Sequence, residues 1–125
     1  MKCEVLVSTM NQEKKNELIR NMRINDCVII NQITKNIKFQ KDDLNSSQKF
    51  LSFKEKGLSR SRNKAIQNSS ADICIIADDD MYYEEDYEKI ILDAYENTPD
   101  ADIIAFEVAN EAKPNRVKKI KNGKI

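Results

Sequence analysis

The chain has 125 residues, 40% hydrophobic and 34% charged, with 21 basic residues balancing 21 acidic ones and no histidine. That length suits one domain rather than two, the apolar share excludes a disordered chain, and zero net charge with few aromatics argues against a nucleic-acid partner. The longest apolar run is five residues, far short of the ~20 that a membrane helix needs, and the missing histidine excludes a histidine-based triad and argues against a zinc site.

Residues 3–8 alternate and are rich in β formers, and they begin so soon after Met1 that no secretory signal is expected. A helical pattern opens at Asn11, Gln12 and Glu13 and carries Leu18, Ile19 and Met22 on one face. Residues 27–30 are fully apolar, as in a strand covered on both faces, and end in Asn31 and Gln32. Residues 34–47 have no dependable period and read as loop with, at most, a short helix. Residues 50–54 read as a third strand, Gly57 punctuates, and residues 58–68 predict a helix with Leu58, Ala65 and Ile66 facing inward. Residues 72–77 form a fourth strand leading into Asp78-Asp79-Asp80. Residues 84–97 predict the clearest helix: Tyr87, Ile90, Ile91, Ala94 and Tyr95 share a stripe, Glu84, Glu85 and Asp86 suit its N-terminal dipole, and Pro99 stops it. Residues 102–108 predict a fifth strand, and residues 110–125 are polar, basic and poorly periodic. Cys3, Cys27 and Cys74 each lie in or beside a strand-like run, and all three are expected as core residues of a reduced, cytoplasmic protein.

Alternating strands and helices predict an α/β layered fold with a mostly parallel sheet, whose ligands lie beyond the carboxyl ends of the strands. Ser8, Thr9 and Asn11 follow the first strand, Asn31 the second and the three aspartates the fourth, so the polar residues gather there. Adjacent carboxylates at a strand mouth repel one another and need water, donors or a cation. In an extended segment Asp78 and Asp80 share a face while Asp79 points away or onto a second ligand, and hard oxygen ligands select Mg²⁺ or Mn²⁺. A solvated acidic turn capping the next helix is the alternative. Residues 72–107 hold thirteen acidic residues and one basic one, residues 35–64 hold nine basic and three acidic, and residues 113–124 add six basic. A basic segment opposite an acidic loop suits a phosphate-bearing ligand held through a cation. With two glycines in the whole chain, a P-loop or dinucleotide fingerprint is absent.

The stretch Gly57-Leu58-Ser59-Arg60-Ser61-Arg62-Asn63-Lys64-Ala65-Ile66, followed by residues 72–81 with the aspartates, resembles the GT-A fold family 2 glycosyltransferases. The first stretch is similar to the family's Gly-x-x-x-Ala-Arg-Asn-x-Gly-Ile helix, with Ser61 for the usual Ala and Ala65 for the usual Gly. The second is similar to its strand and Asp-x-Asp loop, and the likeness covers residues 3–108.

The resemblance implies a GT-A-like, Rossmann-like α/β/α sandwich in which residues 1–108 bind a nucleotide-sugar donor, commonly a UDP-sugar, through Mn²⁺ or Mg²⁺. Carried over by position, Asp78 would touch the ribose or the metal shell and Asp79 or Asp80 would ligate the metal; three aspartates in a row admit two alignments. Arg62 would lie near the nucleotide, or else make a surface ion pair, and Asn63 would bond backbone near the loop. Thr9 and Asn11 fall where the family holds the nucleoside, and Ser8 and Asn31 are expected to join them in binding it; for Ser8, Thr9 and Asn31 turn and capping roles are the alternative. The family's proline and tyrosine after the first strand are missing, and Asn31 stands where an aspartate usually accepts from the base.

Family members continue well past the fifth strand with an acceptor-facing half, so residues 109–125 read as a basic tail or the start of that half, and the chain reads as truncated. Glu111 comes too early in the chain to serve as general base, and no catalytic residue is assigned. The acceptor is unassigned, a sheet edge left bare would favour a homodimer, and the expected location is cytoplasmic, free or peripheral at the inner membrane face. A non-catalytic GT-A-like binding module is the alternative function. A receiver-type domain needs an acidic pair where this chain has Ser8-Thr9-Met10-Asn11.

Overall fold

The computed structural model describes residues 1–106. The end of the expected fifth strand, the basic tail and Glu111 lie outside them. Two compact units are present, Met1–Glu85 and a second that begins at Asp86. The first unit contains β1 (Cys3–Met10), α1 (Lys15–Met22), β2 (Cys27–Gln32), β3 (Gln48–Phe53), α2 (Leu58–Asn68) and β4 (Ile73–Asp78), and the second contains α3 (Tyr87–Glu96).

The four strands form an all-parallel sheet in the order β3-β2-β1-β4, the α/β architecture that the alternation of elements predicts. β1 and β2 each have neighbours on both sides and read as buried runs: all six residues of β2 are buried, and in β1 only Ser8 and Met10 are not. Leu6, Val28, Ile30 and Leu51 fall on one face by register and form a core with Ala65 of α2. Val5, Val7, Cys27, Ile29 and Phe50, all at 0% exposure, occupy the other face. The chain steps from β1 to β2 in one direction and from β3 to β4 in the other, so right-handed crossovers place α1 and α2 on opposite faces.

Several sequence expectations are corrected. Cys74 is exposed rather than core, because β4 borders the described sheet on one side and its α2-side positions Cys74 and Ile76 extend past the helix's cover. Cys3 and Cys27 are buried as expected, and burial pushes the Cys27 thiol up to about 12, which keeps it protonated and inert. In α2 the inward residues are Ser61 and Ala65, whereas Leu58 and Ile66 are 48% and 53% exposed. Ile66 is turned about 100° around the helix from Ala65, and Leu58 lies in the first turn, three residues before Ser61. Of residues 102–106 in the expected fifth strand, only Phe106 makes a β-bridge and the rest is irregular. α3 begins at Tyr87, three residues later than expected; its buried stripe is Tyr87, Ile91 and Ala94. Residues 33–47 are loop, pinned by an antiparallel bridge between Asp43 and Phe50.

Glu4 is a charged residue inside β1, at 0% exposure. Its Oε1 accepts from Ser69 Oγ at 2.7 Å and Ser70 N at 2.9 Å, tying the end of α2 to the sheet, and Lys49 Nζ lies 3.9 Å from Oε2. Burial works to raise its pKa, but the Ser69 and Ser70 hydrogen bonds together with Lys49 and Lys2 win and hold it below the ordinary 4.5. A depressed carboxylate pKa stabilises the fold above the unfolded-state value, and that contribution disappears as pH falls from 4.5 through the folded-state value. Urea unfolding of the wild type should therefore weaken over this acid range, and Glu4→Gln should flatten that part of the pH profile while lowering stability at neutral pH.

Candidate functional site

The sheet changes direction between β1 and β4, because β1 connects towards β2 while the chain returns from β3 across to β4. In open α/β sheets the crevice at such a reversal, beyond the carboxyl ends of the strands, is where ligands bind. Ser8 of β1 is in register with Asp78 of β4, and Thr9 with Asn31 of β2. The aspartates thus emerge directly beside the exit of β1.

Strand alternation sends the first two aspartates to opposite faces. Asp78 shares the face of Ser8 and α2, where Arg62 Nη2 stands 3.8 Å from its Oδ1. Asp79 falls to the other face, and its Oδ2 accepts the Thr9 hydroxyl at 2.8 Å. Alternation stops there, since Met81 N bonds back to Asp78 O at 3.4 Å and closes a turn with Asp79 and Asp80 at its corners. All three aspartates are exposed. Among the described residues no three His, Cys, Asp or Glu side chains stand close enough to hold a metal ion by themselves.

The Arg62–Asp78 pair is half exposed, with side chains at 42% and 58%, and at that distance it is worth about 0–1 kcal/mol. Arg62 Nε is buried without a hydrogen-bond partner, so the guanidinium keeps donor capacity beside the aspartates. The segment after the turn is held to α1: Tyr83 N donates to Met22 O at 2.9 Å, satisfying a helix-end carbonyl, and the Arg23 guanidinium lies 4.9 Å above the Tyr82 ring. Burial, with the Asp78 charge, pushes the Tyr83 hydroxyl up to about 12, so it is a neutral phenol at working pH.

The other expected nucleoside contacts are bonded within the fold. Asn31, at 0% exposure, accepts from Gln12 N at 2.8 Å and donates to Gln12 O at 2.9 Å and Ser52 Oγ at 3.2 Å. Asn11 adopts φ 50, a left-handed conformation asparagine tolerates, and clamps the following loop: its Oδ1 accepts from Thr34 N and Lys35 N, and its Nδ2 donates to Thr34 Oγ1. For these two asparagines, the turn and capping bonds are those present. Ser8 Oγ accepts from Ser61 Oγ at 2.8 Å, which fixes α2, and with it Arg62, over β1. Asn63 is exposed.

Three contributors were not foreseen from sequence. Ser61 is fully buried and polar on the inward stripe of α2. Gln32, 3% exposed, donates to Gly57 O at 2.8 Å and so fixes the start of α2. Tyr83 lies beside Asp78. The signal for Gln32 was available, since a second amide directly after Asn31 in a strand without exposed positions must find partners.

The sequence profile described as Glycosyl transferase family 2 matches residues 4–124. No curated protein matched the chain. No solved structure matched it either.

The bonding of Asn31 gives a direct test. Asn31→Asp loses both side-chain donors and sets a carboxylate against the Gln12 carbonyl, so it should lower the unfolding free energy by at least about 2 kcal/mol in urea titrations. Gly57 has φ +127, and Gly57→Ala should cost about 1–3 kcal/mol through backbone strain alone, because the added Cβ meets nothing closer than Arg60 Cδ at 3.8 Å.

Proposed function

Since the chain belongs to glycosyl transferase family 2, we propose that the exits of β1 and β4 bind a nucleotide-sugar donor, a UDP-sugar, for transfer of its sugar to an acceptor. The observation that carries this reading is the meeting of Thr9, Asp78, Asp79 and Arg62 at the point where the strand order reverses. In it, Arg62 offers its spare donors to phosphate or base oxygens, which a planar guanidinium suits. The Thr9 hydroxyl fixes the orientation of the Asp79 carboxylate, and Ser8 and Ser61 set the height of Arg62 above β1.

The exposed aspartates fit Mg²⁺ or Mn²⁺, because such ions are commonly held by one or two carboxylates, several waters and the substrate's own phosphates rather than by an all-protein cage. Asp79 with Asp78 or Asp80 would provide those carboxylates. A cation held there would supply neutralisation of the charge that develops on a departing diphosphate. In holding it, Asp78 would give up a half-exposed ion pair worth about 1 kcal/mol or less.

A non-catalytic binding module of the same fold is the second reading. It is favoured by the side chains of Asn11 and Asn31, which are already bonded within the fold at the exits of β1 and β2. Hydrolysis or transfer from pooled UDP-sugars with excess acceptors separates the two: turnover above a buffer blank supports the transferase.

Calorimetry tests the donor site itself. UDP should bind in the presence of Mn²⁺, and chelation or the double change Asp78→Ala with Asp80→Ala should weaken binding by at least about tenfold, the equivalent of one lost charge-assisted contact. Binding that ignores both the metal and the aspartates would sink the proposal.

A further inference from the structure

A second concave region lies at the exits of β2 and β3. It has a volume of about 540 Å³ and is lined by Ile33, Ile37, Phe39, Lys35, Lys54 and Lys56, among others. A cavity of this size suits a small ligand. It stands two to three strands along the sheet from Asp78, roughly 10–15 Å at the ordinary strand spacing.

Its charge is one-sided. Glu55 also lines it, but that carboxylate is engaged by Lys64 and lies 4.0 Å from Arg60 Nη1. Asp43, in the adjoining loop, is paired with Lys15 at 3.3 Å and accepts from the backbone of Asn45 and Ser46, and Asp42 accepts from Ser52 N. The nearby acids therefore have partners, whereas Lys35, Lys54 and Lys56 pair with no carboxylate among the described residues. The wall beside these three ammonium groups is apolar: Ile33 is 7% exposed and Phe39 presents 43% of its surface. The walls are also anchored, by the Asn11 bonds to Thr34 and Lys35 on one side and the Gln32 bond to Gly57 on the other.

We propose that this cavity is a separate binding site for a small organic phosphate, a phosphate monoester on an apolar or aromatic body. The lysines hold the phosphate as point charges and the body packs on Ile33 and Phe39. The inference does not depend on the donor reading, since it uses other residues at other strand exits.

Phenyl phosphate is the minimal probe, followed by amide chemical shifts with inorganic phosphate as comparator. Saturable shifts are expected at residues 33–39 and 54–56, with tighter binding of phenyl phosphate than of phosphate and weakening as salt rises. Lys54→Ala with Lys56→Ala should weaken binding by about tenfold or more, and Phe39→Ser should erase the advantage of phenyl phosphate over phosphate. All three residues are exposed, so the fold tolerates these changes. Unsaturable shifts, unchanged affinity in the lysine variant, or binding only to anionic vesicles would overturn the proposal. So would displacement of the probe by UDP with Mn²⁺, which would make the cavity part of the donor site; failure of UDP to bind at all leaves this result standing.

Discussion

The position of β1 between β2 and β4 governs what the rest of this unit can do. A central parallel strand must be apolar on both faces, and residues 3–7 meet that requirement apart from Glu4, whose charge is answered by Ser69, Ser70 and Lys49. The strand can turn polar only where it leaves the sheet. Because the strand order reverses beside it, that exit opens into a crevice instead of under a crossover. After Glu4, Ser8 and Thr9 are the next polar residues β1 presents, one on each face, and Asp78 at the end of β4 arrives in register with Ser8.

That register decides the electrostatics. Asp78 and Asp79 are adjacent in sequence, and strand alternation places neighbours on opposite sides of the sheet, so the two charges are answered by different partners: Arg62 from α2 for one and the Thr9 hydroxyl for the other. Like charges kept apart in this way repel one another less than they would on one face. The same separation leaves the carboxylates only loosely engaged, since a half-exposed ion pair and one hydroxyl are weak competitors for a ligand that brings its own phosphates.

Much of the frame was legible in the sequence because it rests on local pattern. The run Cys27-Val28-Ile29-Ile30, short, β-branched and apolar throughout, reads as a doubly covered strand, and Gly57, with φ +127, marks the start of α2 at the expected residue. What was not legible depends on which element covers which. Periodicity could not show that Cys74 and Ile76 lie beyond the reach of α2, or that Ser61 rather than Leu58 or Ile66 faces the sheet. The aspartate run was readable as a place but not as a geometry, because the turn closing at Met81 ends strand alternation before Asp80. Asn31 was the hardest: its partners Gln12 and Ser52 lie 19 and 21 residues away, and an amide that bonds backbone looks in sequence like an amide that waits for a base.

The division of labour among the polar residues follows from satisfaction of buried groups. A buried amide or hydroxyl without a partner costs about 1–3 kcal/mol, so the bonds made by Asn31, Gln32 and Ser61 spare the sheet that penalty three times over. Their partners are Gln12, Ser52, Gly57 and Ser8, and those bonds lock the β1–α1 turn and the start of α2. Groups satisfied in this way have little capacity left for a ligand, but they fix the ones that do. Arg62, whose side chain is 42% exposed, and the exposed carboxylates of Asp78, Asp79 and Asp80 keep capacity to form new bonds at this end of the sheet, on a frame already fixed by the satisfied groups.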